Sequence, residues 1–163
     1  MALSKDYRFE SQRLRFRGIE ERDASDIVLW RSNPQNYQFF LDPHPITLEG
    51  HLKWFARYLD DETRYDFLIE DMEGHSLGTC GLSAIGRGAC EVSYMIGDPS
   101  ARGRGYATEA VCALVEVAFR ELDVVRVEAR ILPNNASSMR VVEKCGFGEA
   151  ERVFRLTKGQ ELS

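Results

Sequence analysis

The stretch Ala101-Arg102-Gly103-Arg104-Gly105-Tyr106-Ala107-Thr108-Glu109 decides how the rest of the chain is read. Before it, Ala89 to Ile96 alternates with the period of a strand. After it, Ala107, Ala110, Val111, Leu114, Val115 and Ala118 recur on one helical face up to about Glu121. A helix that starts here exposes its first N–H groups and the positive end of its dipole, and Gly103 and Gly105 let an anion approach that backbone closely. Arg102 and Arg104 add positive charge. The pattern calls for a phosphate ligand, most economically a pyrophosphate spread over several amides. One common phosphate loop is excluded and a second fits poorly. No Gly-Lys-Ser or Gly-Lys-Thr occurs in the chain, which removes the P-loop, and Gly103-x-Gly105-x-x runs into Thr108 where a dinucleotide fingerprint needs Gly or Ala.

Upstream, the alternation continues as a meander of Tyr65 to Asp71, Leu77 to Ile85 and Ala89 to Ile96, turned at Glu73-Gly74 and Gly86-Arg87-Gly88. Thr47 opens a helix whose expected buried stripe is Leu48, Leu52, Phe55, Ala56 and Leu59. A shorter helix is expected from Asp23 as N-cap to Asn33-Pro34, after a strand holding Leu14 and Phe16. Downstream, Val125, Val127, Ala129 and Ile131 predict a strand over Val124 to Ile131. A helix with Met139, Val142 and Cys145 then ends at Gly146, and a last strand is expected from Phe147. The expected architecture is a single α/β (α+β) domain over 1–163, with its core at about 13–156. Its sheet is mixed, mostly antiparallel, of six to seven strands flanked by about four helices.

Composition narrows the classes. The chain has 163 residues, 44% of them apolar and 29% charged, ordinary values for one soluble domain. The 21 basic and 26 acidic residues leave a net charge of −5, opposite to the balance of a nucleic-acid binder. No apolar run approaches the roughly 20 residues of a bilayer span. The N-terminus alternates charges where a secretory signal would be apolar, so a cytoplasmic protein without nucleic-acid or membrane partners is expected. Cys80, Cys90, Cys112 and Cys145 form no C-x-x-C pair and are read as reduced, mostly buried thiols. His44, His51 and His75 have no neighbour at ligand spacing, and no metal is expected.

Arg102 to Ala107 resembles the Q/R-x-x-G-x-G/A pyrophosphate motif of the GCN5-related N-acetyltransferase (GNAT) superfamily. Asn135-Ala-Ser-Ser138-Met-Arg140 through Gly146-Phe147 resembles that superfamily's second acetyl-CoA motif. The resemblance spans about residues 13 to 156. It implies direct transfer of an acetyl group from acetyl-CoA to a primary amine. The pyrophosphate is then expected on Arg102, Gly103, Arg104, Gly105, Ala107 and Thr108, with the pantetheine arm on the backbone of Met95 and Ile96 and on Asn135. Ser138 would lie near the sulfur. Asn135 and Ser138 also read as ordinary helix caps. Glu91, alternating with Ser93 and Met95, is the candidate base that takes the proton of the acceptor ammonium. Many members of the family carry a tyrosine as general acid four residues before the Gly-Phe pair. Val142 stands there, which leaves Ser138, another tyrosine or solvent for that role.

The acceptor half offers Trp30, Arg31, Asn33 and His51 as substrate-binding candidates. Trp-Arg-x-Asn followed by His-x-x-Trp resembles enzymes that acetylate nucleotide-linked amino sugars, and the whole chain is equally similar to the acetyltransferases of ribosomal-protein N-termini. The expected acceptor is therefore a small-molecule or peptide primary amine, with monomer and homodimer both open. The alternatives are a non-catalytic acyl-CoA sensor, a polyamine N-acetyltransferase and a cysteine acyl-enzyme route.

Overall fold

A computed structural model describes residues 3–159. Six strands lie in sequence order: β1 (Arg8–Glu10), β2 (Leu14–Gly18), β3 (Tyr65–Asp71), β4 (Ser76–Gly86), β5 (Ala89–Ile96) and β6 (Arg126–Glu128). Every neighbouring pair is antiparallel except β5 and β6. Between β2 and β3 come α1 (Ala24–Arg31), α2 (Pro34–Tyr37) and α3 (Leu48–Tyr58). Next come α4 (Tyr106–Glu121) after β5 and α5 (Ala136–Lys144) after β6. Tight hairpins account for the antiparallel part, and the α4 crossover is what a parallel β5–β6 pair requires.

Strand alternation divides the side chains between two layers. Phe16, Phe67, Ile69, Cys80, Leu82, Cys90 and Val92 face α4, where Ala110, Leu114, Val117 and Ala118 meet them. On the other face Leu68 packs with Ile19, Ile27, Trp30 and Tyr58, and Met95 closes against this second cluster. Glu91, Ser93 and Met95 therefore share the α1–α3 face, as their alternation predicts.

Several local expectations are revised. β1 escapes the sequence reading because Phe9 sits between Arg8 and Glu10; its ring stacks on Phe16 at 4.3 Å and meets Phe67 edge-on at 5.1 Å. Asp23 precedes α1 but its carboxylate makes no cap bond to that helix. Instead its two oxygens take Arg17 Nη1 and Nη2 at 2.8 Å each, and one also accepts from Glu20 N. Asn33-Pro34 ends one helix and starts another, for Asn33 Oδ1 caps α2 through Gln35 N at 3.0 Å. In α3 the packed face is His51, Trp54, Phe55 and Tyr58, while Leu48 and Leu59 are 45% and 49% exposed. The rotation is fixed by Tyr58, whose hydroxyl accepts from Asp66 N at 2.9 Å inside the core.

The expected strand over Val124 to Ile131 shrinks to Arg126–Glu128, because the parallel ladder holds only Ala89, Cys90 and Glu91 opposite Arg126, Val127 and Glu128. No strand follows Phe147 among the described residues. Phe147 packs against the core, but Val153, Phe154 and Leu156 stay exposed. Cys112 and Cys145, expected as thiols, form a disulfide across the contact of α4 with α5, their Cα atoms 5.4 Å apart. Cys80 and Cys90 are free and buried.

Candidate active site

Gly105 starts α4 in the left-handed region (φ 79°) with no side-chain cap, and Gly103 also has positive φ at 74°. The first helical bond runs from Glu109 N to Gly105 O at 3.1 Å, so the N–H groups from Gly103 through Thr108 have no acceptor among the described residues. A side chain in place of that missing cap would block the approach. The turn is instead held from outside. Arg13 Nη1 donates to Arg104 O at 2.9 Å, Arg13 Nε pairs with Glu109 Oε2 at 2.6 Å, and the guanidinium lies 4.6 Å from the centre of the Tyr106 ring. Ser11 Oγ and Arg13 N both donate to Glu109 Oε1. Burial pushes the Glu109 carboxyl up, but these hydrogen bonds and the charge of Arg13 outweigh it and hold the group below the usual carboxylate range. Arg102 reaches back to Asn36 Oδ1, and Arg104 opens onto a cleft of about 720 Å³.

From this turn an unpaired strand edge leads inward. β5 leaves β6 after Glu91, so among the described residues Val92 to Ile96 have β4 on one side and no strand on the other. Met95 and Ile96 lie at the end of that edge, close in sequence to the turn. Across the opening stands α5, started by Asn135, whose Oδ1 accepts from Ser138 N at 3.1 Å. Tyr94 spans the gap, its hydroxyl donating to Ser138 O at 3.4 Å, and burial holds the phenol above its ordinary range. Val142 is buried one turn farther along.

Glu91 is half-buried and pairs with Arg130 at 2.8 Å. Beside it on the same face lie Ser93, Ser83, Gly81 and Thr79. The acceptor candidates divide. Trp30 is buried in the second cluster, so close to Gly97 that a Cβ there would run into the indole. It and Asn33 also line a second cleft, of about 630 Å³, which shares Asp26, Ser76 and Asp98 with the first. His51 is buried, 5.4 Å from the Trp54 ring, and burial with Arg31 nearby lowers its pKa. Arg31 ends α1 and lies in neither cleft. Asp71, Glu73 and His75 lie within 4.8 Å of one another at the first cleft, tied into the β3–β4 hairpin by hydrogen bonds from Glu73 N and His75 N to Asp71 Oδ1.

Arg13, Glu109, Tyr94 and Arg64 were not singled out from sequence. Arg13 and Glu109 are 96 positions apart, and no local pattern links them. Tyr94 carried a readable signal: a phenol in register with Cys90 and Val92, on the core-facing side of its strand. No thiol is placed for an acyl-enzyme route. Cys112 and Cys145 are bonded to each other, burial drives the Cys80 thiol far up, and Cys90 is pushed up to about 11.

The family model described as "Acetyltransferase (GNAT) domain" matches residues 13–148. The probable N-acetyltransferase YjcK of Bacillus subtilis (strain 168) is 39% identical over 144 residues, covering 80% of this chain and 78% of that protein. Spermidine N-acetyltransferase from Vibrio cholerae, solved with CoA and spermine, superposes with a TM-score of 0.80 at 19% identity, over 85% of this chain and 82% of that one. The aminoglycoside acetyltransferase AAC(6')-Ib, solved with coenzyme A, gives a TM-score of 0.75 at 20% identity, over 86% and 87%. No helix among the described residues is long and apolar enough to cross a membrane. The open amide turn at the start of α4 and the unpaired edge of β5 thus belong to a member of the GNAT acetyltransferase family, an N-acetyltransferase whose cosubstrate is acetyl-CoA.

Proposed function

We propose that this chain transfers an acetyl group directly to a primary amine held on the α1–α3 face of the sheet, within a complex of enzyme, acetyl-CoA and acceptor. The observation that carries this reading is the continuity of two open backbone surfaces. The N–H groups of Gly103 through Thr108 lack acceptors, and the free edge of β5 leads from that region to Glu91. The residues fit an anionic, extended coenzyme, because the two left-handed glycines leave the turn bare and the edge offers strand-like pairing. When bound, acetyl-CoA supplies a thioester carbon open to attack and a thiolate leaving group, tolerable because a thiol has a pKa of about 8.5.

In this reading the backbone of Met95 and Ile96 holds the pantetheine arm and polarises the carbonyl. Asn135 caps α5 while its amide nitrogen faces the arm, and Ser138 stands near the sulfur. Glu91 exchanges Arg130 for the acceptor ammonium and takes its proton, directly or through water, freeing the nitrogen lone pair. Tyr94 is the phenol best placed to return a proton on the α5 side, where Val142 cannot. The acceptor classes are a protein N-terminus and a nucleotide-linked amino sugar. A polyamine is the second reading, favoured by Asp26, Asp71, Glu73 and Asp98 around the first cleft and by the spermidine enzyme among the structural neighbours.

The test is thiol release from acetyl-CoA with N-terminal peptides, a nucleotide-linked amino sugar and spermidine, followed across pH for wild type and Glu91→Gln. Release with at least one amine is expected. The variant should lose rate by about 10²-fold, chiefly below the amine's pKa. An unchanged pH profile removes Glu91 from proton transfer, and silence with every amine rejects the transfer reading.

A further inference from the structure

Positive charge is left over on the α1–α3 face. Arg31 Nε is enclosed by protein and has no hydrogen-bond partner, and no ion pair to this guanidinium exists among the described residues. What surrounds it is poor compensation. Its Cζ lies 5.4 Å from the centre of the Phe40 ring. Arg64 repels it and His51 is buried beside it. The buried carboxylate nearby, Asp66, is already taken by Arg64, with Nε to Oδ2 at 2.6 Å and Nη2 to Oδ1 at 3.2 Å. The exposed Asp42 bonds His44 instead. The residue as a whole is half-buried and only Nε is enclosed, and an arginine stays charged at any physiological pH. Such a group can take a counter-charge that the chain does not supply.

The sheet says where that counter-charge would sit. Asp66 in β3 is in register with Gly81 in β4, and Gly81 with Ser93 in β5, two residues from Glu91. Gly81 leaves the middle of this row without a side chain, and a Cβ there would collide with Asp66 Oδ1. A polar track therefore crosses two strand spacings, about 10 Å, from Asp66 to Ser93, and reaches Glu91 two residues farther along β5, about 12 Å from Asp66 on the diagonal. Ser93 is exposed along it and Ser83 is half-buried.

We propose that Arg31, backed by Arg64, is an anion subsite on the α1–α3 face of the sheet, outside the two clefts described above. The acceptor is then an amine that carries a phosphate or carboxylate on the order of 10 Å from the nitrogen to be acetylated, the scale set by the strands between Asp66 and Glu91. This deepens the transferase reading and rests on it for the position of the amine. It runs against the polyamine reading, because a second cationic group placed here would meet two arginines.

The test uses CoA-saturated protein, so that the α4 turn is filled, and calorimetric titration with aminohexyl phosphate, aminoheptanoate, neutral aminohexanol and spermidine. Wild type should bind the two anionic probes at least about tenfold more tightly than aminohexanol. Arg31→Gln should erase that difference and Arg31→Lys should restore part of it, with CoA affinity reporting that each variant is folded. An advantage for the phosphate probe alone assigns the subsite to phosphate esters; an advantage for both extends it to carboxylates. Equal affinity of charged and neutral probes in wild type overturns the subsite, as does a difference that survives Arg31→Gln or a preference for spermidine. Thiol release from acetyl-CoA is read separately. Wild type that discriminates the anion but releases no thiol keeps the subsite and refutes the transfer.

Discussion

Gly105 holds a backbone conformation, φ 79°, that an L side chain adopts at a cost of roughly 1–2 kcal/mol. A Cβ there would be 3.5 Å from Arg13 Nη2, an ordinary contact, so conformation is the main penalty. Gly105→Ala is expected to fold and to weaken CoA binding by about tenfold, measured by calorimetry; unchanged affinity would mean that the turn does not need its left-handed start. This position was legible in sequence because glycine spacing at a strand-to-helix junction is local information. The clamp that holds the same turn was not. Arg13 and Glu109 meet only after β2 and α4 have folded onto one another, and either residue alone reads as an ordinary surface charge. Arg31 was legible as a residue of interest but not for its reason, since the lack of a partner is a property of the packed state.

Elements were read well where periodicity was unambiguous and poorly where two faces competed. The β3–β4–β5 meander falls within a residue or two of its expected limits, because Gly74 and Gly88 punctuate it with positive φ. α3 is rotated by about one position from its expected aliphatic stripe, keeping Phe55 packed, because burying Tyr58 also satisfies Asp66 N and stacks Trp54 on Tyr58 at 5.0 Å. α4 and α5 are joined by a bond that spacing alone did not reveal. Cys112 and Cys145 are separated by 33 positions, and a loop of that order raises stability by about 2–4 kcal/mol when closed. Reduction, or the double variant Cys112→Ser with Cys145→Ser, is therefore expected to lower Tm by roughly 5–15 °C. Coincident melting of the oxidised and reduced forms would show that the bridge contributes nothing.

At the scale of the whole molecule, the pH dependence of stability has a definite sign. Burial, with Arg31 nearby, lowers the pKa of His51 in the folded chain, so the unfolded chain takes up that proton first. The contribution is complete above about pH 6.5, the ordinary histidine value, and is lost as pH falls below it toward the depressed folded value. His44, raised by Pro45 O and Asp42, and His75, raised by Asp71, act with the opposite sign: their stabilisation is present at lower pH and fades as pH rises through their raised values. Both are exposed and their bonds are open to solvent screening. Urea midpoints measured from pH 5 to 8 should therefore fall on the acid side in wild type and flatten there in His51→Gln; a parallel fall in both proteins would place the acid sensitivity elsewhere.

The three-rung ladder between β5 and β6 has a consequence for how the molecule holds together. Past Glu91 the sheet is split like a partly opened zipper, and the amides along one lip must be hydrated while the slot is empty. A ligand arm lying in that slot would act as a non-peptide rung, displacing this water and bridging the strand to α5. The loaded enzyme is thus expected to be the stiffer form, its mechanical continuity completed by a molecule that is consumed and replaced at every turnover.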